Sequence, residues 1–127
     1  ELAAPTTVSA QQYLADSAAA ATSLREFVAV LDAAGPTLTD QDARRIAPEL
    51  DRIAGEFTTR AGRIERERLE DRRIEAQRAR IAGLLVPAIA AVQSAAIAAE
   101  DGDATTLVAA VDDLRAALPE IAGVGNT

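Results

Sequence analysis

Arg60–Arg80, RAGRIERERLEDRRIEAQRAR, holds eight of the thirteen arginines and five acids, with almost no apolar residue between Ile64 and Ile74. Long helical patterns with apolar stripes flank it on both sides. The chain therefore either turns back here or runs straight through as one helix. From Glu65 to Arg73 there is no Gly, Pro, Asn or Ser, so the usual turn signals are missing. Glu65–Arg68, Glu70–Arg73 and Glu75–Arg78 have the i,i+3 spacing of ion pairs that favour continued helix. A heptad register also runs unbroken from Ile46 to Ala99, with Arg60, Glu67, Asp71 and Arg78 at core positions. Against this, one helix of about sixty residues would be roughly 90 Å long. A polar rod of that kind buries nothing along its middle. Turning near Arg66 to Arg72 gives the second and third helices lengths similar to the first and closes a bundle. The favoured reading is an all-α, antiparallel four-helix bundle. The alternative is an elongated helical hairpin or dimer with one long continuous helix through 60–80, two chains pairing to cover both apolar ends.

Outward from this centre, the spacing predicts a first helix from about Gln11 to Ala34, capped by Ser9 and ended by Gly35-Pro36. Its stripe is Leu14, Ala18, Ala21, Leu24, Val28 and Leu31, widened by Phe27 and Val30. Thr39 followed by Asp42 has the form of a capping box, and Asp40 and Asp42 suit a helix N-terminus. Ile46, Leu50, Ile53, Phe57, Ala61 and Ile64 form the second stripe, with Pro48 expected to kink it or set off a short separate turn. The third stripe is Ile74, Ile81, Leu85, Ala88, Val92, Ala95 and Ala99. Pro87 lies inside it, opposite the carbonyl of Gly83. Glu100-Asp101-Gly102-Asp103 ends this helix. Asp103 or Thr105 caps a fourth, with Leu107, Val111, Leu114 and Leu118 as its stripe and Pro119 and Gly123 closing it. The organisation is a tether at 1–10, one helical-bundle domain at 11–122 and a loose tail at 123–127.

At 127 residues the chain is one domain with one core. Thirty-one residues are Ala and only three are aromatic, so the core is built of small side chains. There is no Cys, His, Met, Trp or Lys. That removes disulfides, thiolate metal sites, the commonest metal ligand and the commonest general base. Ser and Thr hydroxyls have no neighbouring His or Lys to activate them, and no phosphate loop or nucleophile elbow is present. The expectation is no enzyme, no cofactor and no metal site. EDGD at Glu100–Asp103 offers hard oxygen ligands but does not fit a twelve-residue Ca²⁺ loop, and it is fully explained as a helix stop and cap. No 18-residue apolar run is recognised, so no membrane span is expected. The N-terminal ELAAPTTVSA reads as a polar tether of the kind that follows an export signal or a lipoprotein-type membrane anchor. The expectation drawn from it is a module outside the cytoplasm, in the cell envelope; the alternative is the frayed terminus of a cytosolic domain.

The net charge is −7, yet Arg60–Arg80 carries eight arginines against five acids, a net of +3. The rest has five arginines against fifteen acids, a net of −10. Folding back puts Asp32, Asp40, Asp42, Glu100, Asp101 and Asp103 at one end and the arginines at the other. This polarity suits oriented docking on an acidic protein partner or anionic headgroups through Arg63, Arg66, Arg68, Arg72 and Arg73. Nucleic acid is not expected, because the cluster is diluted by acids and lacks aromatics for stacking. The function expected is a non-catalytic interaction or sensor-like module. The alternative is a carrier of a small apolar ligand or lipid between the helices, near Phe27, Phe57, Leu84, Val86 and Ile89.

Overall fold

The computed structural model describes residues 6–34 and 37–122. Four helices, α1 (Ala10–Ala34), α2 (Asp40–Arg66), α3 (Arg72–Asp101) and α4 (Ala104–Ala122), pack in chain order, and α1 meets α4 to close an antiparallel bundle. The chain does reverse inside the charged stretch, so the continuous helix through 60–80 is not formed. Two short strands lie at the reversal. β1 (Thr6–Thr7) pairs in parallel with β2 (Glu67–Arg68), and Val8 N–H donates to the Arg68 carbonyl at 2.9 Å. The expected tail at 123–127 and the Gly35-Pro36 stop lie outside the described residues.

Local chemistry starts each helix. Ser9 Oγ accepts from Gln12 N–H at 3.0 Å. The capping box is present: Asp42 N–H donates to Thr39 Oγ1 and Thr39 N–H to Asp42 Oδ2. Asp103 caps α4 through Thr106 N–H at 3.1 Å. Phe27, Phe57, Leu24, Leu50, Ile53, Ile64, Ile81, Leu85, Leu107, Leu114 and Ile121 form the enclosed core, each contributing about 1.5–3 kcal/mol over its exposed state. Between them Ala20, Ala43, Ala88, Ala95 and Ala99 let the helices approach closely.

Four expectations need correction. At the start of α1 the buried face is Tyr13, Asp16, Ser17 and Ala20, and Leu14 is 41% exposed. The inward face there carries polar groups, which a search for apolar periodicity rotates outward. Pro48 does not set off a separate turn: α2 is continuous from Asp40, its start fixed by the capping box. Pro119 does not close α4, which continues to Ala122 with Ile121 buried against the core. Finally, Ile81–Ala99 contains no charged residue, and α3 is long and apolar enough to cross a membrane by length and composition, with an 18-residue window of mean hydropathy 2.0. Here Ile81, Leu85, Ala88, Val92 and Ala95 of that helix face the bundle core, 39% of the window being buried, while Val86 and Ile97 are exposed.

Candidate functional site

The tip of the bundle, where α2 hands over to α3, is built almost wholly from the charged stretch. Glu67 ends α2 in extended conformation (φ −70°, ψ 151°), its N–H donating to the Arg63 and Ile64 carbonyls. Asp71 starts α3 by accepting from Arg73 N–H at 2.9 Å and Ile74 N–H at 3.2 Å. Arg78, only 5% exposed, reaches back across the reversal. Its Nε and Nη2 hold the two oxygens of Glu75 at 2.9 and 2.6 Å, and its Nη1 donates to the Ile64 carbonyl at 3.1 Å. Glu75 Oε1 also accepts from Leu69 N–H at 3.0 Å. One guanidinium thus neutralises a carboxylate and caps the carbonyl end of α2, where the helix dipole favours a cation. Arg78's hydrogen bonds, backed by Leu69 N–H, hold the Glu75 carboxyl below its ordinary range.

Against this turn α1 presents Tyr13, Asp16 and Ser17. Asp16 and Glu67 bring their carboxyl groups together in the interior, Glu67 being 3% exposed. Gln12 Nε2 donates to Asp16 Oδ1 at 3.0 Å. Asp16 Oδ2 and Glu67 Oε1 have no donor, and Tyr13 Oη and Ser17 Oγ, side by side, have no partner in hydrogen-bonding geometry. Burial, followed by the adjoining Asp16 carboxyl, pushes the Glu67 carboxyl up to about 8, against the opposing pull of Arg63 and Arg78. At neutral pH Glu67 therefore keeps its proton, and that proton is the donor the two orphan oxygens lack. Burial likewise raises the Tyr13 phenol, against the nearby Ser17 hydroxyl, Arg78 and Arg80. Above the pair opens a cleft of about 260 Å³ lined by Val8, Gln12, Asp16, Arg63, Arg66 and Glu67.

The five arginines expected to dock a partner all lie on the exposed surface of this tip. Among the described residues none of them forms an ion pair within 4.0 Å, although Arg68 donates to the Glu65 and Glu67 carbonyls at 2.9 and 2.7 Å. The five residues suggested for an apolar ligand do not line a common cleft, although all but Val86 belong to or pack against one core cluster. Phe27 and Phe57 are wholly buried, Leu84 and Ile89 half-buried, and Val86 is 57% exposed. The tip cleft is lined by none of them, and neither is the groove of about 550 Å³ between α2 and α3. At the opposite end Asp40 Oδ1 accepts from Ala104 N–H at 3.1 Å, and Arg115 pairs with Asp32 at 2.5 Å. Glu100–Asp103 ends one helix and caps the next, and no group of three metal-binding side chains occurs among the described residues.

Apolar periodicity could not find the buried polar cluster. Two signals did point to it: Glu67 and Arg78 fell on core positions of the heptad register, and Tyr13, Asp16/Ser17, Ala20, Leu24, Phe27 and Leu31 keep helical spacing. Compared with protein families, characterised proteins and solved structures, the chain shows no match.

Proposed function

We propose that this bundle is a non-catalytic interaction module whose arginine tip docks on an acidic surface of a partner protein. The observation that carries the reading is how the acids of the tip are used. Glu67 is buried and protonated, Glu75 is held by Arg78, and Asp71 caps α3. Glu65, Glu70 and the capping Asp71 remain exposed beside Arg63, Arg66, Arg68, Arg72 and Arg73, so the uncharged Glu67 alone adds one positive charge to the balance of the tip. The exposed tip is thus more cationic than its composition suggests, on a protein of net charge −7. Such polarity orients approach and raises association rates at low salt. We prefer docking to carriage of an apolar ligand because Phe27 and Phe57 are enclosed by the core. The N-terminal strand β1 lies beside the tip, paired with β2.

The test replaces Arg63, Arg66, Arg72 and Arg73 by Gln; among the described residues none of these side chains makes a hydrogen bond or ion pair. Binding of a fluorescent Asp/Glu-rich peptide is followed by anisotropy at low and high salt. Wild type is expected to bind in a salt-dependent manner, and the fourfold variant to bind about tenfold more weakly or worse with unchanged helicity. Equal binding by both proteins contradicts the docking reading.

A further inference from the structure

We propose that the proton shared by Asp16 and Glu67 gates the arginine tip: while it is held the tip docks, and when it leaves the tip releases. The inference rests on the docking reading above and adds its regulation. The geometry argues for a held proton by counting donors. Two buried carboxyl groups meet, and among the described residues Gln12 Nε2 is the one hydrogen-bond donor that reaches them from a side chain. Arg78, the nearest buried cation, is committed to Glu75 and to the Ile64 carbonyl. Arg63 bears on Glu67 from α2, but it is exposed and offsets the burial only in part. The remaining groups facing the pair are Tyr13 and Ser17 from α1, and Arg66 on the rim of the cleft.

Losing the proton leaves two like charges together in the interior, an arrangement that buried carboxyl pairs do not tolerate. Glu67 then moves toward Arg63 and Arg66 at the mouth of the cleft, cancelling charge on the tip. Because Glu67 also pairs with Thr6, the same movement loosens the β1–β2 contact. The chain has no His, Cys or Lys. With its one tyrosine raised, it lacks the side-chain types that ordinarily titrate from about pH 6 to 9. A response in that window that E67Q lacks reports this pair, whereas an α-amino group, which titrates near pH 8, acts equally in both proteins.

The experiment measures anisotropy of the Asp/Glu-rich peptide at about pH 6.5 and 9.5, at fixed ionic strength, for wild type and Glu67→Gln. Glutamine keeps the shape and supplies an N–H to Asp16 at every pH. Wild-type affinity is expected to fall about fivefold at the higher pH and that of E67Q to stay constant. Constant wild-type affinity, or an equal fall in E67Q, overturns the gate. If neither protein binds the peptide at either pH, the docking reading fails and the gate as a device for docking fails with it. The held proton is then judged by NMR: Val8 and Arg68 amide shifts should titrate near pH 8 in wild type and not in E67Q. Should E67Q not fold, Asp16→Asn takes its place and is expected to lower that midpoint; an unmoved midpoint overturns the shared proton.

Discussion

Arg78 Nη1 donates to the carbonyl oxygen of Ile64 at 3.1 Å, tying the second turn of α3 to the last turn of α2 across the chain reversal. The same guanidinium grips both oxygens of Glu75. In a segment with no Gly, Pro, Asn or Ser, this bond and the Asp71 cap do the work that turn residues do elsewhere.

Arg78→Ala leaves a carboxylate, a helix-terminal carbonyl and a cavity without a partner. We expect a loss of about 2–3 kcal/mol in urea unfolding, below the full range for broken buried pairs because Glu75 is partly solvated. Glu75→Gln should cost less, since the Ile64 contact survives. A loss within error for Arg78→Ala would mean the reversal is held otherwise.

Stability should depend on pH in a way set by Glu67. Its folded value, about 8, lies above its ordinary 4.5, so between these limits the folded state binds a proton that the unfolded chain does not. Its contribution is fully present below about pH 4.5 and is lost as pH rises through about 8. Asp42, Glu75 and Asp103 are lowered by their hydrogen bonds and act oppositely, losing their contribution as pH falls through their folded values. The urea midpoint should therefore decline from mildly acidic pH toward pH 8. E67Q should remove that decline and leave the acid limb unchanged. A decline of the same size in E67Q would contradict this.

Two glycines should respond with opposite sign. A methyl at Gly55 meets no atom within 4 Å, so Gly55→Ala should raise stability by about 0.5–1 kcal/mol through helix propensity. Gly102 ends α3 at φ +70°, and a methyl there would lie 2.5 Å from the Arg44 guanidinium. Gly102→Ala should cost about 1–2 kcal/mol. Thermal unfolding of the two variants checks both signs.

The bundle was legible because its signals are local. Ile46, Leu50, Ile53 and Phe57 stand at helical spacing, Thr39 and Asp42 form a reciprocal cap, and Gly102 with Asp103 marks a stop and a start. The reversal was legible only by exclusion, since Asp71 acts as an N-cap without looking like a turn. The carboxyl pair was not legible. Asp16 and Glu67 are 51 positions apart, and although Glu67 falls on a core position of the heptad register, nothing in that register pairs it with Asp16. Their meeting depends on α1 turning its Tyr13 face inward, and that face, though at helical spacing, competes with the more apolar Leu14 stripe. Arg63 and Arg66 were chosen for charge alone, and their place over the buried pair follows from the reversal.

The most direct test of a buried, shared proton beneath the arginine tip is a ¹³C NMR titration of the glutamate side-chain carboxyls. One of them, absent from the E67Q spectrum, should titrate near pH 8. If every glutamate titrates near 4.5, Glu67 is ionised in the folded protein and neither the buried pair nor the gate exists as described.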